Sequence, residues 1–141
     1  MEKLNKKGFT LVELLSVIVI LSVVVLIATN AVIPMMSNAK KQVLATEANT
    51  ILGTAKSMYA NDGASGSKCY SYNDVIKSGL ITKSDEGYNG SFLIESNGNG
   101  GYNIKVWLSN GTNLIDGKSP DITSDDVIES SEEASTTCGK N

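Results

Sequence analysis

One nearly uncharged stretch constrains this chain more than any other feature. Between positions 14 and 36 the apolar residues are interrupted only by Ser16, Ser22, Thr29, Asn30 and Pro34, and from 9 to 39 the one formally charged side chain is Glu13. A helix needs about 20 predominantly apolar residues to cross hydrocarbon, and this run supplies them. Lys3, Lys6 and Lys7 precede it, the arrangement expected of an end kept on the cytoplasmic side. The segment is therefore expected to span a membrane. A secretory signal peptide would have a shorter apolar core followed by a small-residue cleavage site. A plain signal anchor accounts for the lysines and the length but not for Glu13. A carboxylate in hydrocarbon costs about 2.5 to 3.5 kcal/mol on insertion scales, so it needs a partner.

The helical pattern continues beyond the apolar run. Leu44, Ala48, Ile51, Leu52, Ala55 and Tyr59 recur at three- and four-residue spacing, with Lys40, Lys41, Glu47 and Lys56 elsewhere, which is an amphipathic stripe. A helix over residues 9–59 would measure about 77 Å, too long for an element of one globular core. Residues 9–33 read as its transmembrane half and 34–59 as the spine of a head. Pro34, at the junction, leaves the Asn30 carbonyl without its helical donor and is a candidate kink.

Residues 60–141 change character. Asn61-Asp62-Gly63-Ala64-Ser65-Gly66-Ser67 reads as a loop. Ser71 is placed to cap a short helix ending at Lys77 or Ser78, with Gly79 beyond it. Strand-like runs follow over 91–95, 102–108 and 113–116. Asn97-Gly98-Asn99-Gly100-Gly101 and Asn110-Gly111 join them as hairpin turns. The expectation is an α+β fold in which a small antiparallel sheet of three to four strands packs on the amphipathic helix half. Phe92, Ile94, Ile104, Val106 and Leu108 would face inward, with Trp107 on the opposite face.

Composition argues against catalysis. All 12 basic residues are Lys, and there is no His. That removes Ser-His-Asp and Cys-His catalysis, His metal sites and bidentate Arg forks. No catalytic residue, cofactor or metal ligand is expected. A net charge of -3 and a pI near 4.9 argue against a nucleic-acid surface. Beyond Pro120, the acids Asp121, Asp125, Asp126, Glu129, Glu132 and Glu133 stand against Lys140 alone. Clustered carboxylates suggest calcium, yet the twelve-residue loop pattern is absent. Ser124 followed by acids also reads as a capped short helix, and a solvated face is favoured over a metal site. Asn89-Gly90-Ser91 and Asn110-Gly111-Thr112 match glycosylation sequons, which tight-turn chemistry explains sufficiently.

Around Glu13, the residues Lys6-Lys7-Gly8-Phe9-Thr10-Leu11-Val12-Glu13-Leu14 closely resemble the processing site of type IV pilins and their pseudopilin relatives. That pattern is a short basic leader, a Gly, an aromatic or apolar first mature residue, Glu at the fifth mature position and a long apolar helix. The close match covers residues 6–31. The resemblance implies the type IV pilin fold and a filament subunit without catalytic activity, serving adhesion, twitching motility or aggregation. It implies that a membrane aspartyl protease, the prepilin peptidase, cuts between Gly8 and Phe9 and methylates the new amine of Phe9. Loss of the leader, residues 1–8, would remove Lys3, Lys6 and Lys7 against Glu2 alone and leave a more acidic chain beginning at Phe9. The resemblance further implies that Glu13 pairs with the N-terminal amine of a neighbouring subunit. Two charges are then compensated in an apolar core where either alone would be costly.

Implied partners are identical or related pilin subunits, the membrane and the pilus assembly machinery. Implied locations are the cytoplasmic membrane and then a surface pilus. Pro34 would mark where the helix bends or melts during assembly; the Gly that related pilins often carry nearby is absent between Gly8 and Gly53. Cys69 and Cys138 would face an oxidising exterior, where a disulfide is favoured over two free thiols. Many pilins staple their C-terminal region this way. Here the bridge would tie the tail to the loop after the long helix, enclose nearly the whole head, and stabilise it by about 4 kcal/mol. Some secretion pseudopilins bind calcium near the C-terminus. Two other readings stay open: a pseudopilin of a type II secretion or competence apparatus, and a membrane-tethered extracellular binding module that never polymerises.

Overall fold

The computed structural model describes residues 8–63, 65–81, 87–119 and 121–139. Lys3, Lys6 and Lys7, and also Pro120 and Lys140, lie outside the described residues. The chain divides into two compact units, Met1–Ser37 and Asn38–Asn141. In chain order the elements are α1 (Leu11–Asn61), β1 (Ser67–Ser71), α2 (Tyr72–Lys77), β2 (Asn89–Ser96), β3 (Tyr102–Ser109), β4 (Asn113–Lys118), a 3-10 turn (Ser124–Asp126) and β5 (Ile128–Glu129).

In the first unit, every residue from 8 to 36 is exposed. This half of α1 has no core of its own to bury against. Its polar interruptions are satisfied within the helix. Ser16 Oγ donates to the Val12 carbonyl at 2.8 Å, Ser22 Oγ to Ile18 at 2.7 Å, Thr29 Oγ1 to Val25 at 2.7 Å and Asn30 Nδ2 to Leu26 at 3.2 Å. Each hydroxyl or amide returns to the carbonyl four residues back, so the helix presents few unmet polar groups to an apolar surrounding. Pro34 lies inside α1, with helix assigned on both sides.

In the second unit, α1 buries Leu44, Ala45, Ala48, Ile51, Leu52, Ala55 and Tyr59. This is the expected stripe with Ala45 added. They join Phe92, Ile94, Ile104, Val106 and Leu108, the residues expected to point inward, in one core. The helix ends where Gly63 takes φ 57°, its N–H donating to the Ala60 carbonyl at 3.2 Å. α2 is capped as expected: Asp74 N–H donates to Ser71 Oγ at 3.2 Å, and Ser71 Oγ donates to the Asp74 carboxylate at 2.7 Å.

The sheet is larger than the sequence suggests. It has five strands rather than three to four, in the order β1-β2-β3-β4-β5, all antiparallel. The sequence shows no strand period at β1, because in Ser67-Lys68-Cys69-Tyr70-Ser71 only Tyr70 is buried. β5 is too short to show a period. Between Val106 and Leu108 the β3–β4 register shifts, and Gly117, at φ 61°, takes the left-handed conformation that such a bulge uses.

Gly90 sets the approach of β2 to β3. A Cβ there would lie 2.1 Å from the Trp107 carbonyl oxygen and 2.9 Å from the Leu108 Cα. Both are backbone atoms of the paired strand and cannot turn aside. Gly90→Ala is therefore expected to destabilise the second unit by about 3 kcal/mol or more, lowering its melting temperature by more than roughly 10 °C in circular dichroism.

The outer sheet face carries a second, smaller core: Trp107, Leu114, Ala134 and Cys138, with Leu93 packed against it. Trp107 faces away from α1 as expected, but it is covered by the C-terminal segment. That segment is held by side chains that alternate along β2 and β3. Asn89 Oδ1 accepts from Ala134 N–H at 2.7 Å. Ser91 Oγ donates to the Ser135 carbonyl and accepts from Cys138 N–H at 2.9 Å. Ser109 Oγ donates to the Glu132 carbonyl at 2.9 Å. Ser91 and Ser109 are fully buried, so these bonds meet the need of buried hydroxyls for partners. The tail is a strap across the sheet.

Candidate functional site

The beginning of α1 is built around Thr10. Its backbone N–H donates to Glu13 Oε2 at 2.8 Å, its hydroxyl donates to the same oxygen at 3.1 Å, and Glu13 N–H donates to Thr10 Oγ1 at 3.2 Å. The Leu14 N–H reaches the Thr10 carbonyl at 3.2 Å. This reciprocal box satisfies donors that a helix start otherwise leaves orphaned. It also explains why the helix begins at Leu11 rather than at Phe9. The cap is legible in Thr10-Leu11-Val12-Glu13, a Thr-x-x-Glu pattern ahead of an apolar run. Sequence reasoning that dwelt on the charge of Glu13 alone missed it.

Gly8 and Phe9 precede the cap. Phe9 is 84% exposed, and a Cβ at Gly8 would meet nothing within 4 Å. Among the described residues no contact demands glycine at that position.

Cys69 and Cys138 are joined, with Cα atoms 6.1 Å apart and a sequence separation of 69. Cys69 lies in β1, not in a loop, so the bridge fastens the strap to the sheet edge directly. At the same edge, Asp62 accepts from Lys68 Nζ and, at 2.9 Å, from Tyr70 OH. The Lys68 ammonium holds the Asp62 carboxyl below its ordinary range, with the Tyr70 hydroxyl adding to the effect, and is itself held above its usual range by that contact.

The acids of the tail disperse. Asp126 accepts from Thr123 N–H at 3.1 Å and lies 3.9 Å from Lys118. The cap of the 3-10 turn is thus Thr123, rather than Ser124. The Thr123 N–H keeps the Asp126 carboxyl below its ordinary range. Glu129 sits 3.6 Å from Lys41. Among the described residues no three Cys, Asp or Glu side chains gather as a metal site would require. The two sequon asparagines are structural: Asn110 organises the β3–β4 turn, whereas Asn89 is the first residue of β2 and not a turn residue.

Against known families, residues 3–29 match the prokaryotic N-terminal methylation motif. That stretch contains Gly8, Phe9, Thr10, Glu13 and most of the apolar half of α1. No curated protein and no solved structure matches the chain.

Proposed function

We propose that this chain, whose methylation motif and α+β architecture are those of a type IV pilin-like protein, is a structural subunit of a type IV pilus. It enters the membrane by the apolar half of α1, is cut after Gly8 by a prepilin peptidase, is methylated on Phe9, and polymerises through the same helix half. One observation carries this reading. An apolar helix segment begins at a methylation motif, satisfies its own hydroxyls and amide, and among the described residues finds no intramolecular cover from residue 8 to residue 36. Lipid covers such a surface first, and neighbouring copies cover it in a filament.

Processing gives a direct test of the Gly8 argument. Gly8→Val is expected to leave the described fold unchanged, because a Cβ there meets nothing within 4 Å. Full-length precursor should nevertheless accumulate in the membrane fraction, with no mature form in immunoblots. Mature protein at wild-type levels would contradict the reading.

The assembled state is tested by shearing filaments from the cell surface and probing them with antibody to residues 60–141. The pilus reading expects filaments labelled along their length. A pseudopilin or a tethered binding module expects processed or anchored protein in the membrane and unlabelled filaments.

A further inference from the structure

Four Asn-Gly pairs occur in the chain, at Asn89, Asn97, Asn99 and Asn110, and the fold treats them unequally. In this dipeptide the backbone nitrogen of the second residue reaches the side-chain amide carbon of the first most readily, because glycine has no Cβ and adopts almost any conformation. Hydrogen bonds that pin the amide or occupy that nitrogen oppose the approach.

At Asn110, Oδ1 accepts from Thr112 N–H and Thr112 Oγ1, both at 3.1 Å, and from Asn113 N–H at 2.8 Å, while Gly111 N–H donates to Ser109 Oγ at 3.1 Å. At Asn89, Oδ1 holds the strap through Ala134 N–H, and Gly90 is buried in β2 opposite Leu108. At Asn97, Oδ1 accepts from Asn99 N–H at 3.1 Å and Gly101 N–H at 3.0 Å, and Gly98 N–H donates to Ser96 Oγ at 3.4 Å. Asn99 differs. It is exposed in the β2–β3 loop, and among the described residues neither its side-chain amide nor the Gly100 N–H has a hydrogen-bond partner.

We propose that Asn99 is a self-modification site. The Gly100 backbone nitrogen attacks Asn99 Cγ. A new N–Cγ bond forms, the Cγ–Nδ2 bond breaks, and Nδ2 leaves as ammonia with the proton that the Gly100 nitrogen gives up. One water then opens the resulting succinimide to aspartate or isoaspartate. Water is the only reagent consumed. The outcome replaces a neutral amide with a carboxylate at the hairpin tip, so an already acidic chain gains one more negative charge as it ages, and the isoaspartate product lengthens the backbone there. The other three pairs are protected by the bonds that shape the sheet, the strap and the turns.

The test uses full-length protein in detergent, held in mildly alkaline buffer at physiological temperature, sampled over days and digested at lysine. The peptide ending at Lys105 carries Asn89, Asn97 and Asn99, and the one ending at Lys118 carries Asn110. Electron-transfer fragmentation locates each new acid and distinguishes aspartate from isoaspartate. Asn99 should convert first, on the order of tenfold faster than the other three, because each of those must first release hydrogen bonds worth about a decade in rate. In denaturant the four rates should converge, and Asn99→Ser should remove the early product. The proposal is overturned if another of the four converts as fast as Asn99 in the folded protein, if no site converts, or if the folded order persists in denaturant.

Discussion

Replacing Cys138 with Ser should lower the melting temperature of the Asn38–Asn141 unit by roughly 20 °C and shift Trp107 emission to longer wavelength. The bridge from Cys69 to Cys138 spans a sequence separation of 69. In the chain-entropy account a closure of that length stabilises by about 4 kcal/mol, and a domain of this size loses about 5 °C per kcal/mol. Stapling matters here beyond loop entropy, because the strap it fastens covers the outer sheet face. Trp107 is 7% exposed, and Ala134 and Cys138 from the strap lie in its core. With the bridge gone, the covalent tie is lost, and the strap's side-chain bonds to Asn89, Ser91 and Ser109 are each worth only about 1 kcal/mol net. Trp107 is the chain's one tryptophan, so its emission reports the strap without interference. Thiol reductant added to the wild type should reproduce both changes. A variant that melts within a few degrees of wild type, with unshifted emission, would contradict the stapling account.

Glu13→Ala should abolish filaments while leaving processed protein in the membrane. Within one chain the carboxylate already has a role, accepting from Thr10 N–H and hydroxyl. Losing that cap costs about 0.5 to 2 kcal/mol of helix stability, which a long apolar helix in lipid tolerates. Insertion should hold or improve, since an expensive group is gone. Cleavage should survive because Gly8 and Phe9 are unaltered. Between staggered chains, however, the amine made at Phe9 would meet no counter-charge. Breaking a buried pair costs about 3 to 5 kcal/mol, more than a hundredfold per contact.

Glu13→Gln separates the two roles. It keeps an oxygen to accept from Thr10 but carries no charge, so it should fail to assemble as Ala does. The comparison is sheared filament yield against membrane-fraction level, with processing checked by mass. Filaments from the Gln variant at wild-type yield would assign Glu13 to capping alone and refute the charge pair.

The readable and unreadable parts of this molecule divide along physical lines. The apolar run, the Leu44-to-Tyr59 stripe, the Ser71 cap and the three central strands each repeat a pattern with a fixed period or an obligate turn residue, so they are legible position by position. β1 is not, because its outward residue Cys69 is held by a bond to the far end of the chain and its sequence shows no alternation. The strap is invisible for a related reason. Its segment is mostly Ser, Thr and Glu, and what holds it is a row of side chains, Asn89, Ser91 and Ser109, bonding to distant backbone. Trp107 could be assigned to the outer face by strand alternation, but no local pattern says what lies over it. At the candidate site, Gly8, Phe9 and Glu13 stand out in the sequence through a resemblance, whereas the cap that Thr10 makes is written locally in Thr10-Leu11-Val12-Glu13.

The most direct measurement of the central claim is the intact mass of the subunit recovered from sheared surface filaments. The account predicts a chain beginning at Phe9, with one added methyl group on its amine and two hydrogens fewer than the dithiol form for the Cys69–Cys138 bridge. A mass that retains Met1, or the absence of this chain from surface filaments, would contradict it.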